Sequence, residues 1–352
     1  MTPSPPPTRR DFLRTTSAAV AGAAAASLAT AAKPADKKKI LNYNPKMGYR
    51  RLGKTELMIS EVSLGGHGGS KPEDRVPVLD KAVELGVNYL DTNMASEVAL
   101  YGKAMAKAKV GVRDKFIIGF ASWPVKITEE YEKNLTEKLM LSEIDKRLKA
   151  YNTDMLDIWR PVGATWGKGQ KKIATMLDVT PKTLDLVANT FEKARKAGKV
   201  RFLGVSAHNP KVFRRVLNDY PQFSVVIFPY LFLTKDFGGD GLLKLAADKD
   251  VGVIGLKPFG AGTTFGIKPR EIKGRVDDRA HVLVKEMLAE KRLTAVIPGV
   301  NIPEQLEENV KGSYDRGKAT TQADREAVEQ CTENYYAHIT PEYKWLHQWE
   351  TV

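Results

Sequence analysis

From residue 49 onward, short apolar runs alternate with stretches whose apolar residues recur every three or four positions. The runs at 60–65, 87–91, 115–120, 154–159, 200–206, 224–229, 251–257 and 293–298 predict strands, most of them rich in Val, Ile, Leu or Phe. Continuous apolar character suits strands buried on both faces. The stretches between them, 75–85, 96–109, 130–150, 181–197, 210–218, 240–248, 277–290 and 303–311, predict amphipathic helices. Two carry stop chemistry: Gly86 follows Val83-Glu84-Leu85, and Gly198 follows Arg195-Lys196-Ala197. Eight strand–helix units in succession predict an α/β fold, a (β/α)8 TIM barrel in a single domain. An open doubly wound sheet competes with it. That fold more often shows Gly-x-Gly-x-x-Gly after its first strand, and Gly65-Gly66-His67-Gly68-Gly69 has the wrong spacing.

The first 31 residues read as an address. Thr8-Arg9-Arg10-Asp11-Phe12-Leu13-Arg14 precedes an Ala-rich apolar stretch from 17 to 29, and Ala29-Thr30-Ala31 gives a small-x-small cleavage pattern. The paired arginines followed by Phe-Leu resemble a twin-arginine export signal. The expectation is a periplasmic or otherwise extracytoplasmic protein, engaged by the twin-arginine machinery and released or held at the membrane by an uncleaved signal. Residues 32–47, with Pro34, Lys37-Lys38-Lys39 and Pro45, read as a linker. The barrel is expected over 48–318, and a C-terminal helix with an aromatic-rich tail over 319–352.

Composition changes this picture little. The chain of 352 residues is 42% hydrophobic and 28% charged, which is ordinary globular composition. Its net charge of +13 is spread along helices beside Glu and Asp. The expectation is solvated faces rather than a nucleic-acid surface, with the excess favouring an anionic substrate. The single cysteine, Cys331, rules out an internal disulfide and a cysteine-rich metal site.

In a barrel of this kind, chemistry sits at the carboxyl ends of the strands. Those ends bring His67, Asp91, Arg160, Ser206, His208, Asn209, Tyr230, Lys257, Gly299 and Asn301 to one rim. Asp91 is the only strand-end carboxylate there, so the rim suits an anionic or carbonyl-bearing small molecule better than a divalent metal, and no metal is expected.

Several motifs then carry a family resemblance. Tyr49-Arg50-Arg51-Leu52-Gly53-Lys54-Thr55, Val62 to Gly66, and Ala82 to Thr92 resemble the opening of aldo-keto reductases. Gly198 to Ser206, Val253 to Gly260, and Ile297-Pro298-Gly299 through Asn309 resemble the family's fifth, seventh and eighth strand segments. The resemblance covers about residues 48–312. It implies NADP(H), with NAD(H) as the alternative, lying across the barrel mouth and exchanging hydride with a carbonyl. Ser206 and Asn209 then fall near the nicotinamide carboxamide, and Tyr230 remains from a motif whose Gln is gone. Gly299, Val300 and Asn301 fall at the adenosine phosphate, and Glu308 and Asn309 at the adenine end. Gln305 stands where many members have a phosphate-clamping Arg, which weakens the preference for NADP(H).

The catalytic set departs from the family. Asp91 matches. The Tyr expected five residues later is Ser96, the expected Lys region reads Phe120-Ala121-Ser122, and the expected His region reads Asp157-Ile158-Trp159-Arg160-Pro161. Substitutes are available on the rim. His67 or His208 is suited to acid–base work near neutral pH, and Arg160 or Lys257 to holding an oxyanion. Each also has a plainer reading: His67 as a loop residue, His208 as the lead-in to a helix, Asp91 as a helix cap. The cluster Tyr335, Tyr336, His338, Tyr343, Trp345, His347 and Trp349 is either an aromatic flap over the mouth or packing against the barrel wall. The leading expectation is an exported nicotinamide-dependent oxidoreductase with an atypical catalytic set. The alternatives are a catalytically inactive nucleotide- or ligand-binding barrel, and a barrel isomerase or hydrolase acting on a sugar-like ligand.

Overall fold

Seven of the expected strands pair in parallel in chain order: β3 (Tyr89–Thr92), β4 (Ile117–Ala121), β5 (Leu156–Arg160), β6 (Val200–Ser206), β7 (Phe223–Pro229), β8 (Gly252–Leu256) and β9 (Ala295–Ile297). The structure is a computed structural model, and it describes residues 39–65, 71–108, 111–122, 131–161, 181–207, 210–234, 241–267 and 274–350. The run at 60–65 supplies the eighth barrel position in an irregular form. Val62 bridges Val296, Gly65 bridges Gly299, and Leu64 bridges Leu90, so this segment sits between β9 and β3. Its amino end instead belongs to a small antiparallel hairpin, β1 (Tyr49–Arg51) with β2 (Met58–Ser60). The hairpin brings Leu52, Leu57 and Ile59 into the apolar core inside the barrel.

The helices surround this sheet: α1 (Pro72–Leu85), α2 (Ala95–Lys107), α3 (Glu137–Tyr151), α4 (Pro181–Lys196), α5 (Pro210–Asp219), α6 (Leu242–Asp248), α7 (Ala280–Leu288), α8 (Pro303–Tyr314) and α9 (Gln322–His338). Gly86 ends α1 in a left-handed conformation (φ 87°), as its position predicts. Strand side chains alternate between two cores. Tyr89, Ile117, Ile158, Val225, Ile227 and Ile254 fill the barrel, while the larger cluster, including Trp159, Phe213 and Phe228, lies between strands and helices. Continuous apolar runs arise because both faces are covered.

Two segments outside the barrel proper are built into it. Residues 40–47 fall within the stretch read as a linker, and here the Asn42 side-chain amide donates to the Val87 and Lys115 carbonyls at 2.8 and 2.9 Å. Met47 is buried in the same region. The spacing of prolines and lysines reports only local chain character and carries no sign of these long-range bonds. At the other end, the tail packs against the wall rather than forming a flap. Trp349 is fully buried, stacked on Phe228 at 5.3 Å and edge-on to Phe213 at 5.7 Å. Among the described residues, no helix is long and apolar enough to cross a membrane. The expected signal segment, residues 1–31, lies outside the described residues.

Candidate active site

Inward-pointing positions at the top of the barrel are polar where those below are aliphatic. Asp91 on β3 and Arg160 on β5 meet there. Arg160 Nη2 donates to both Asp91 carboxylate oxygens at 2.8 and 2.7 Å and to the Thr92 carbonyl at 3.0 Å. Its Nη1 donates to Ser206 Oγ on β6 at 2.9 Å, and Tyr89 donates its hydroxyl to Asp91 at 3.2 Å. Arg160 and Tyr89 are almost wholly buried. The strand between them makes this possible. A Cβ on Gly119 of β4 would lie 2.1 Å from the Tyr89 hydroxyl and 2.8 Å from Asp91 Oδ1, so any other residue would collide with the pair.

Burial pushes the Asp91 carboxyl up to about 6, against the pull of the Arg160 guanidinium. Burial likewise pushes the Tyr89 phenol well above its ordinary range, helped by the Asp91 charge. Asp91 is therefore committed to Arg160 and does not cap α2. That function falls to Glu97, whose Oε2 accepts from the Asn93 and Met94 N–H groups at 2.7 and 3.1 Å. Lys257 follows β8 in a left-handed conformation (φ 56°), which non-glycine residues rarely adopt. It is half-buried. Burial lowers its ammonium pKa, with the Glu97 charge pulling the other way.

A second feature lies beyond β8 and β9. A small, partly open cleft is lined by Phe259, Phe265, Arg275, Gly299, Gln305 and Asn309, among others. Next to Gly299 of this lining, Arg75 of α1 donates to the Val300 carbonyl at 2.7 Å and to the Asn301 carbonyl. Gln305 crosses the cleft. Its Oε1 accepts from the Asn301 N–H at 2.7 Å, and its Nε2 donates to the Arg275 carbonyl at 2.6 Å. Glu308 lies against His281 at 2.6 Å and Lys311 at 2.5 Å. Burial works to raise the Glu308 carboxyl, but hydrogen bonds with His281 and Lys311 hold it below its ordinary value.

The expected site residues thus separate into two groups. Asp91, Arg160 and Ser206 form one bonded set, while Gly299, Gln305, Glu308 and Asn309 line the cleft. Val300 is buried in the wall, and the Asn301 N–H is already taken by Gln305. Tyr230 is buried beside β8, where a Cβ on Gly255 would lie 2.7 Å from its own Cβ. His67, His208 and Asn209 lie outside the described residues. Sequence reasoning missed Arg75, Glu97 and Arg275. For Arg75 a signal existed: it sits at helical spacing on the buried stripe Arg75, Val78, Leu79, Ala82, where a charge needs fixed acceptors.

A model of the aldo/keto reductase family matches residues 61–284, and the chain belongs to that family. Its members are oxidoreductases that act on small carbonyl compounds. An L-glyceraldehyde 3-phosphate reductase of Escherichia coli strain K12 is 22% identical over 320 residues, covering 75% of this chain and 87% of the relative. An uncharacterized oxidoreductase of Bacillus subtilis is 23% identical, covering 83% and 99%. Among solved structures, an aldo-keto reductase from Bacillus halodurans in its holo form superposes with a TM-score of 0.61 at 19% identity, covering 85% of this chain and 99% of that one.

Proposed function

We propose that this protein is an exported oxidoreductase that exchanges hydride between a nicotinamide dinucleotide and a small carbonyl or alcohol, using an atypical catalytic set. The observation that supports it is the cleft beside β9. Apolar and aromatic side chains, Arg275, two amides and the carboxylates of Asp277 and Glu308, each paired with a cation, face one opening there, a mixture that can hold a polar small molecule. At the other end of the mouth Ser206 accepts from Arg160, which leaves its own hydroxyl hydrogen to donate to a carboxamide oxygen. These residues fit NADP(H), with NAD(H) as the alternative. When bound, the dinucleotide supplies or takes up the hydride.

The chain's own residues then have separate tasks. Arg160 is paired with Asp91 and Ser206, so in this reading it orients the polar groups at this end of the mouth. It is not the proton donor. Lys257 carries a proton at Nζ that burial loosens, and in this reading it stabilises or protonates the developing alkoxide. His67 and His208 are the alternative proton sources. A rim of this charge favours anionic carbonyl compounds, in keeping with the phosphorylated aldehyde in the Escherichia coli relative's name.

A second reading has its own support. Ser96 stands where the family resemblance places the acid, Phe120-Ala121-Ser122 fills the stretch where it places the lysine, and Asp91 is engaged internally. A catalytically silent nucleotide-binding barrel would look the same. Thermal denaturation with NADPH and NADH, followed by nucleotide oxidation with a panel of carbonyls, separates the readings. Stabilisation with turnover supports the first, stabilisation without turnover the second, and no stabilisation at millimolar nucleotide defeats both.

Export is part of the proposal, with residues 1–31 as the twin-arginine-type signal, the barrel beginning near residue 48, and the aromatic-rich segment from 319 closing the chain. Arg9→Lys with Arg10→Lys is expected to keep the precursor in the cytoplasm, measured by fractionation. Unchanged export would overturn the assignment.

A further inference from the structure

Two lysines stand at opposite ends of β8, and the fold treats them differently. Lys54, from the hairpin, meets the amino end of the strand, where its backbone N–H donates to the Asp250 carbonyl at 2.6 Å. Its Nζ donates to the Pro221 carbonyl at 2.7 Å, and the Asp250 charge supports its ammonium. Lys257 follows the carboxyl end, on the rim where a barrel does its chemistry. Among the described residues its Nζ makes no hydrogen bond and no ion pair, although the side chain is half-buried. The carboxylate whose charge acts on it is Glu97, which lies in the first turn of α2, beyond β9, the segment 62–65 and β3. The Lys257 ammonium therefore lies over the mouth rather than on the outer wall. Glu97 spends one oxygen on the α2 cap and does not bond Lys257.

The backbone fixes this placement. Lys257 has a φ of 56°, and the Gly260 N–H closes the turn by donating to the Lys257 carbonyl at 3.0 Å. A residue bearing a Cβ keeps such a conformation only where its surroundings enforce it, and such positions gather at functional sites. Burial without a bonded anion or acceptor makes an amine give up its proton more readily. It lowers the Lys257 ammonium, with Glu97 opposing it. Burial lowers Lys54 as well, but there the Nζ is occupied. A neutral amine in a protected site is a nucleophile toward carbonyl carbon.

We propose that Lys257 captures small aldehydes covalently, as an imine at the barrel mouth, with no nucleotide required. Lys257 gives one proton to solvent, and Nζ adds to the carbonyl carbon as the C=O π bond breaks. A second nitrogen proton moves to the oxygen. The hydroxyl then leaves as water with a proton taken back from solvent, and an iminium remains. Nothing is oxidised or reduced. This goes beyond the hydride reading, in which Lys257 meets the carbonyl oxygen as a cation; here it meets the carbonyl carbon as an amine.

Reductive trapping on the full chain, freed of nucleotide, tests it. Propanal is the probe, cyanoborohydride fixes any imine as a secondary amine, and peptide mass spectrometry locates it. Lys257 is expected to label more than about tenfold faster than lysines whose amines are exposed, the gain that burial of a lysine can give. Lys138 and Lys182 supply that comparison, and Lys54 should stay slow. Lys257→Arg keeps a cation in place and should lose the fast adduct. Glu97→Gln keeps an oxygen for the α2 cap and should speed labelling at Lys257, because the charge favouring the ammonium is gone. Labelling of Lys257 no faster than of the exposed lysines would overturn the proposal. So would a fast adduct that persists in Lys257→Arg, or a rate unmoved by Glu97→Gln. None of these outcomes bears on nucleotide binding, so this proposal and the hydride reading fail separately.

Discussion

The two ends of the barrel mouth treat charge in opposite ways. At the β3–β6 end, a buried carboxylate and a buried guanidinium satisfy each other, with a tyrosine, a serine and a backbone carbonyl completing the set. At the β8–β9 end, carboxylates are neutralised by neighbours, while Arg275 is left facing solvent. A closed network of this kind resists rearrangement, whereas an exposed guanidinium with no partner among the described residues does not. The physical state of the groups differs, and each end should respond differently to substitution.

The largest effect is expected at the closed end. Arg160→Met removes the cation and strands a buried carboxylate, which costs about 3–5 kcal/mol in comparable buried pairs. Urea unfolding of the variant measures it. A loss below about 1 kcal/mol, the range of an exposed pair, would mean that water reaches the network and that the two ends are less different than their bonding suggests.

Asp91 gives a related test with a defined sign. Its carboxyl is raised from 3.8 to about 6 by burial, so between those values the folded chain holds a proton that the unfolded chain has released. Its contribution to stability is therefore fullest near pH 4 and declines as the pH rises to about 6, by up to ~3 kcal/mol. Wild type and Asp91→Asn, unfolded in denaturant at several pH values, should diverge with that slope. A difference independent of pH would show that Arg160 outweighs burial and keeps the carboxyl at its ordinary value.

Much of this fold was legible in the sequence, because period and run length are local. The helices at 181–196 and 210–219 and the strand at 200–206 lie within a residue of the pattern that predicts them. The first strand was less legible, since Val62 to Gly65 pairs through single bridges and its apolar run also feeds the hairpin. The site was legible as a set of strand ends but not as a set of partners. Asp91 and Arg160 are 69 residues apart and meet only through barrel closure. The meaning of Gln305 depends on where the Arg275 carbonyl lies, which no motif encodes. Arg75 could have been noticed as a charge on an apolar stripe, although its acceptors, the Val300 and Asn301 carbonyls, could not.

Gly119→Ala sharpens the comparison with the smallest possible side chain. The new methyl would collide with the Tyr89 hydroxyl and the Asp91 carboxylate. Overpacking a filled interior costs about 1–3 kcal/mol, below the loss expected for Arg160→Met. If Gly119→Ala melts like the wild type, Tyr89 has somewhere else to go and the network is looser than its distances indicate.

The smallest effect on stability is expected at the open end. Arg275 is exposed and its guanidinium holds nothing else in place among the described residues, so Arg275→Met should change unfolding free energy by no more than about 0.5 kcal/mol, as for surface positions generally. Its backbone carbonyl, the atom Gln305 grips, is unaffected by the substitution. Urea unfolding of the variant beside the wild type measures the change. A clear loss of stability in the absence of nucleotide would mean that Arg275 is part of the barrel's own packing, and the contrast between a closed and an open end of the mouth would fail.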